Sequence, residues 1–231
     1  MAHIEPHHPP TGLRDLQEET LASPRLTYSF PARALFTTLD VLYGRGRTLS
    51  KFRVLEVLAR VPYQAWERAG YLAVTHTHAW PTIARRLFRT VEQSRAQQDN
   101  EQWHLLILEE LIRRTRVRES FLWYRVLPQG LACVTYYFAL VLFVLKPAWA
   151  YRLNAELEDH AEHEYMLFVQ ENADFEVIPF VSSFSEDYGQ FANLADFFRQ
   201  VGADERAHKE ESLEAMEAAR LHRIPPPAAA A

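Results

Sequence analysis

The sequence predicts an all-α protein built on a four-helix bundle, and three observations carry that prediction. Long segments place apolar residues at helical spacing, and the chain has only seven glycines in 231 residues. Glu101-Gln102-Trp103-His104 and Glu205-Arg206-Ala207-His208 repeat one Glu-x-x-His spacing. Residues three apart share a helix face, so each pair aims a carboxylate and an imidazole at one point. Two lone acids, Glu56 and Glu158, lie in other helical segments and complete the order Glu, Glu-x-x-His, Glu, Glu-x-x-His. Successive centres stand roughly fifty residues apart, enough for a long helix and its connection.

Two Glu-x-x-His helices and one Glu from each of two others form the set with which a ferritin-like four-helix bundle holds two iron or manganese ions. Glu56, Glu101, His104, Glu158, Glu205 and His208 are therefore the expected metal ligands. The only cysteine is Cys133, which excludes an internal disulfide and any cysteine-based zinc or iron–sulfur site. Oxygen and nitrogen donors remain, and they suit a di-iron or di-manganese centre. Glu5-Pro6-His7-His8 has the same spacing, but its prolines oppose a regular helix. Glu67 rivals Glu56; Glu156, Asp159 and Glu162 rival Glu158.

Taken in order, residues 1–25 read as a poorly ordered arm with a short helix around Leu13 to Leu21, residues 26–222 as one helical domain, and 223–231 as a disordered tail. Pro31 to Tyr43 has a helical period and ends at Gly44. The first long helix starts at Thr48 to Ser50, either of which can cap it, and runs past Glu56 toward Thr75 with a kink expected at Pro62. The next starts at Pro81, a first-turn proline, and reaches Arg116. Residues 126–145 contain twenty successive uncharged residues, the length a bilayer span requires. A single true span would put the ligand-bearing segments on opposite sides of the membrane. This helix is therefore expected to lie partly in the bundle and partly in one leaflet.

After Pro147 a helix carrying Glu158 is expected to reach Asn172. Tyr165, seven residues on, returns to the same face and should lie near the metals. A loop then leads to a last helix from about Ala192 to Leu221. Asn100 and Asp204, each next to a motif Glu, are candidates to orient the ligands. A net charge of −5 argues against a general nucleic-acid binder, while the arginines at 45, 47, 53, 85, 86 and 89 beside apolar helices suit an anionic membrane surface. Met1 to Pro10 has no apolar run fit for a signal peptide.

Val54-Leu55-Glu56 with Ala59-Arg60-Val61-Pro62-Tyr63, Asn100-Glu101 to His104 with Leu105 to Leu111, Thr135-Tyr136-Tyr137-Phe138, Glu158-Asp159-His160-Ala161 with Tyr165, and Ala203-Asp204-Glu205 to His208 resemble the motifs of the alternative oxidases. These are membrane-bound di-iron quinol oxidases, and the likeness is greatest to their plastid terminal oxidase branch. It covers roughly residues 50 to 215.

The resemblance implies that the six residues hold two irons, with Glu101 and Glu205 as bridges, and that Tyr165 is the tyrosine close to the centre. It also implies interfacial attachment to one leaflet and no haem. Lys51 stands where the family usually has an arginine, Glu164 replaces a threonine, and Glu162 takes an apolar position. The expected activity is oxidation of quinol, ubiquinol or plastoquinol, with reduction of O2 to water and no proton pumping. Quinol is expected between Lys51 and Leu55 on one side and Ala161 and Glu164 on the other, with Tyr165 in catalysis. A homodimer is one permitted assembly, and the expected place is the cytoplasmic face of a bacterial inner membrane or a thylakoid membrane. The rival readings are a di-iron monooxygenase such as a quinone-ring hydroxylase, a ferritin-like iron-binding bundle without organic substrate, and a metal-free helical protein of the membrane surface.

Overall fold

The computed structural model of the chain describes residues 12–221, and within them it forms helices and loops with no strand. Seven α-helices follow in order: α1 Leu13–Ala22, α2 Phe30–Tyr43, α3 Leu49–Thr77, α4 Pro81–Thr115, α5 Leu127–Leu145, α6 Pro147–Glu171 and α7 Leu194–Leu221. Helices α3, α4, α6 and α7 make the bundle. α3 packs along α4 and α6 along α7, while α5 lies against α3 and α6.

Local chemistry sets the ends of these helices. Thr48 caps α3 by accepting a hydrogen bond from the Lys51 amide at 3.2 Å. Proline opens α4 and α6 where its missing N–H costs nothing. Gly44 closes α2 at φ 84°, a conformation that penalises a Cβ. Pro62 lies inside α3 without ending it, since the helix continues to Thr77.

Two apolar layers lie beyond the buried polar residues of the bundle. In one, Phe52 of α3, Ile107 and Leu108 of α4, Phe168 of α6 and Phe197 and Phe198 of α7 interdigitate. In the other, Tyr63 and Trp66 of α3 pack against Ala139, Leu140 and Phe143 of α5. Interlocked aromatic packing of this kind fixes helix register and hence the aim of side chains between the layers.

The arm drawn at residues 1–25 contains a docked helix. In α1, Gln17 donates to the Met166 carbonyl at 2.9 Å and Thr20 donates to Glu162 at 2.7 Å. Arg199 of α7 in turn donates to Gln17 at 2.8 Å. Packing therefore begins before residue 25. The Glu5-to-His8 segment and the tail at 223–231 lie outside the described residues.

Helix α5 has a different environment. A π-helical turn, Leu122–Val126, leads into it, and Leu122–Leu145 is long and apolar enough to cross a bilayer while little of it is buried in the protein. Val134, Tyr137, Phe138, Val141, Val144 and Leu145 are exposed along it. The turn is held by buried Arg53 of α3, which donates to Glu109 and Glu119, each at 2.8 Å, and to the Tyr124 carbonyl at 3.0 Å. Two carboxylates and a carbonyl compensate the desolvation of that guanidinium.

Candidate metal centre

Each bundle helix sends its motif residue inward at the level between the two apolar layers. Glu56 comes from α3, Glu101 and His104 from α4, Glu158 from α6, and Glu205 and His208 from α7, all buried. One atom from each of Glu56, Glu101, His104 and Glu205 falls within 4.8 Å of the others, as does one from each of Glu101, Glu158, Glu205 and His208. Glu101 and Glu205 belong to both groups. A carboxylate shared in this way can bridge two cations.

The unsatisfied atoms are the best guide to what the site holds. Glu56 Oε2, both oxygens of Glu101 and of Glu205, and Nδ1 of His104 and of His208 are buried without a hydrogen-bond partner. His208 Nδ1 stands 2.9 Å from Glu101 Oε1, yet the two are not aligned as donor and acceptor. Buried polar atoms are nearly always paired, so seven orphans converging on one volume mark a place for cations. Four carboxylates balance the charge of two divalent ions. The residues fit a two-metal centre.

Electrostatics agree with that fit. Burial, and then the charge of Glu101, push the Glu56, Glu158 and Glu205 carboxyls above the usual range. Burial opposes ionisation of Glu101 too, but the nearby imidazoles of His104 and His208 hold it well below that range. Four adjacent carboxylates cannot all ionise in a dry interior without positive charge, which a cation pair supplies when it displaces the protons.

Neighbouring polar residues contact these groups. His104 Nε2 lies 3.1 Å from Asp204 Oδ2, and Asp204 also accepts from Tyr188 at 2.6 Å, Asn100 at 3.1 Å and Gln200 at 2.8 Å. With Asp204 as acceptor for Nε2–H, Nδ1 is the His104 nitrogen that faces Glu56 and Glu205, 3.5 Å from each. The structure brings Asn100 and Asp204 together, with Asp204 against His104.

Tyr165 of α6 donates to Glu56 of α3. Tyr63 of α3 donates to Glu158 of α6 at 2.7 Å. Each tyrosine follows the Glu of its own helix by seven residues and bonds the Glu of the other. The spacing that marks Tyr165 therefore marks Tyr63 as well, although the sequence reading did not single it out. Tyr188 lacks such a signal, because it meets His104 across 84 residues of chain.

The rival acids are engaged elsewhere. Glu67 pairs with Arg95 at 3.1 Å, Glu156 with Arg152 at 2.9 Å, and Glu162 with Arg206 at 2.9 Å and Lys209 at 2.5 Å. Asp159 accepts from the Leu26 amide and from Tyr28, each at 2.9 Å.

The residues expected to meet quinol are placed as follows. Ala161 is buried on α6, and Leu55 packs with Val54, Leu58 and Tyr124. Lys51 binds Asp40 at 2.6 Å and the Gly44 carbonyl at 2.8 Å. Glu164 is held by Arg25 at 2.8 Å and Arg47 at 2.9 Å. Between these ion pairs sits His160, stacked on Phe36 with centroids 3.8 Å apart and with Arg25 Nη1 at 3.0 Å from its Nδ1.

Comparison with known proteins follows the same residues. The sequence profile of the family described as alternative oxidase matches residues 25–216, a span that includes all six converging side chains. Over 154 residues the chain is 32% identical to Ubiquinol oxidase 4, chloroplastic/chromoplastic, of Arabidopsis thaliana, covering 61% of this chain and 37% of that protein. The chain spans well under half the length of that relative. With four bundle helices, two Glu-x-x-His pairs and two lone glutamates converging as described, the chain belongs to the alternative oxidase family.

Proposed function

We propose that the protein is a quinol oxidase, taking electrons from quinol and reducing O2 to water. The observation that carries this reading is the cluster of seven unpartnered buried donor atoms, in two groups sharing Glu101 and Glu205, on a chain of this family. Two irons held by Glu56, Glu101, His104, Glu158, Glu205 and His208 would supply one-electron chemistry and a place for oxygen, and no haem is needed.

The chain's own residues do the rest. Asp204 holds the His104 proton on Nε2 and keeps Nδ1 available for metal. Tyr165 and Tyr63 keep O–H groups directed at Glu56 and Glu158, so a proton and an electron can be delivered to either side of the centre. Burial and the facing carboxylates raise both phenols well above their ordinary range, so each holds its proton at neutral pH. Phe52 stacks on Tyr165 with centroids 4.3 Å apart and keeps water from that side.

The exposed apolar face of α5, with Trp149 at the start of α6 and Phe30 and Val41 of α2, suits insertion into one leaflet with the bundle above it. Lipid-soluble quinol then arrives laterally, toward Lys51, Leu55, Ala161 and Glu164. The arginines of α4 and the loops fit an anionic surface. Protons released in this way do not cross the membrane.

The test is oxygen uptake by membranes containing the protein, with duroquinol as donor and cyanide to silence haem oxidases. The expected result is cyanide-resistant uptake at two quinols per oxygen, abolished in Glu101→Ala and in Glu205→Ala. Oxygen found in an organic product would replace this reading with a monooxygenase. Bound iron without quinol-dependent uptake would leave an iron-binding bundle.

A further inference from the structure

We infer that the loop 177–193, which leads into α7, is the lid through which divalent iron enters and leaves the centre, with Tyr188 as its latch. This inference rests on the two-metal reading of the six converging residues. All six are buried, so an ion can reach them only when a covering element moves. The covering elements are not alike.

On the Glu56 side the hydrogen-bonding neighbour is Tyr165, enclosed by Phe52 and Phe198. On the Glu158 side the neighbours are Tyr63 and Asn154, with Trp66 and α5 packed against Tyr63. These three residues are buried, and exposing them means parting packed helices. On the His104 side the neighbours are Asp204 and Tyr188. Both are partly exposed, and Asp204 has 15% of its side chain open to solvent. Among the described residues, this is the side on which groups bonded to a ligand reach the surface.

A loop, not a helix, lies over that side. Tyr188 packs edge-on against His104 with centroids 5.3 Å apart and donates to Asp204 at 2.6 Å. The loop is tied to the bundle at Glu110 of α4, which accepts from the Ser182 hydroxyl at 2.8 Å and from the Ser183 amide and hydroxyl at 3.0 and 2.9 Å. The amides of Ser185, Asp187 and Tyr188 bond carbonyls within the loop itself. A segment held by so few bonds to its surroundings opens at lower free energy than a packed helix. Gly189, at φ 152°, directly follows Tyr188 and gives the chain a hinge that no side chain stiffens.

The loop also carries charge suited to a cation. Glu186 and Asp187 directly precede Tyr188, are exposed, and form no ion pair among the described residues. Once Tyr188 swings away, these two acids, then Asp204, then His104 and Glu205, offer a succession of donors from solvent to the centre. The acids draw the ion in, and the latch closes over it.

The lid is tested on metal-free full-length protein in detergent, mixed anaerobically with ferrous iron. Ferrozine traps the unbound iron in uptake runs and, in excess, reads release. Ser182→Ala with Ser183→Ala frees the loop from Glu110 without touching the centre. Uptake and release should both quicken about tenfold, with two irons per chain and affinity unchanged, because a lid sets the barrier and not the depth of the well. Glu186→Gln with Asp187→Asn should slow uptake about threefold at low ionic strength and hardly at high, with release little changed. Hydrogen–deuterium exchange supplies a second measure: in the wild type, residues 184–190 should open at least as fast as iron leaves.

Opening slower than release, unchanged exchange in the serine variant, or faster release alone with weaker binding would overturn the lid. So would iron exchange quickened instead by Thr20→Val, which loosens α1 from α6. These rates are read without substrate. A protein that loads iron through the loop yet takes up no oxygen with duroquinol would refute the oxidase reading and keep the lid, whereas a chain that binds no iron would overturn both.

Discussion

Asp204 shows how much of the centre depends on residues that would not touch metal. It accepts from His104, Tyr188, Asn100 and Gln200, and its carboxyl is held below the usual range although largely enclosed, because His104 and Tyr188 outweigh its burial. Asp204→Asn keeps the shape and loses the charge that fixes the His104 tautomer. Its iron affinity or turnover should fall about 10- to 100-fold with the helical spectrum unchanged, measured by iron titration and oxygen uptake. An unaffected variant would show that His104 needs no such orientation.

His160 yields a prediction about pH. Burial first, and then the charge balance of Glu164 against Arg25 and Lys51, lowers its pKa from 6.5 to about 4. The folded chain keeps it neutral while the unfolded chain protonates near 6.5. Stability from this residue is therefore full above that pH and is lost as pH falls through about 4. The integrated loss is roughly 3 kcal/mol. Unfolding midpoints measured between pH 7 and 4.5 should drop more steeply in the wild type than in His160→Gln, and equal slopes would contradict the assignment.

The helices themselves were largely legible in the sequence. Pro81 and Pro147 sit at helix starts, Gly44 at a stop, and Thr48 at a cap, and each signal acts through its own backbone. Of the six inward residues, Glu101, His104, Glu205 and His208 followed from the three-residue interval, which settles which face a side chain takes, while Glu56 and Glu158 had rival acids nearby. What spacing could not give was contact between distant segments. The docking of α1 depends on Gln17 and Thr20 finding Met166 and Glu162 far along the chain. The arginines holding Glu164 come from the loops at residues 25 and 47, where no periodicity operates. Helix α5 carries its own prediction. Replacing exposed Phe138 and Val141 with glutamate should release the protein from vesicles of mixed anionic and neutral lipid in a flotation assay, because each loses up to about 3 kcal/mol of apolar burial and adds a charge. Retention of the double variant on the vesicles would remove α5 from the attachment surface.

At the scale of the molecule, the bundle is two similar halves facing one another. α3 with α4 supplies Glu56, Tyr63, Glu101 and His104, and α6 with α7 supplies Glu158, Tyr165, Glu205 and His208, each tyrosine crossing to the other half. The halves differ in what packs on each tyrosine: Phe52 and Phe198 on Tyr165, and Trp66 with residues of α5 on the Tyr63 side. Both halves are needed if Glu101 and Glu205 serve two cations together, so neither half should hold iron alone. Iron bound per chain in purified protein, by metal analysis with Mössbauer spectroscopy of the iron-57 form, tests this most directly. The account predicts two coupled irons in the wild type and none held firmly in Glu101→Ala or Glu205→Ala. One uncoupled iron per chain, or two that persist in both variants, would contradict it.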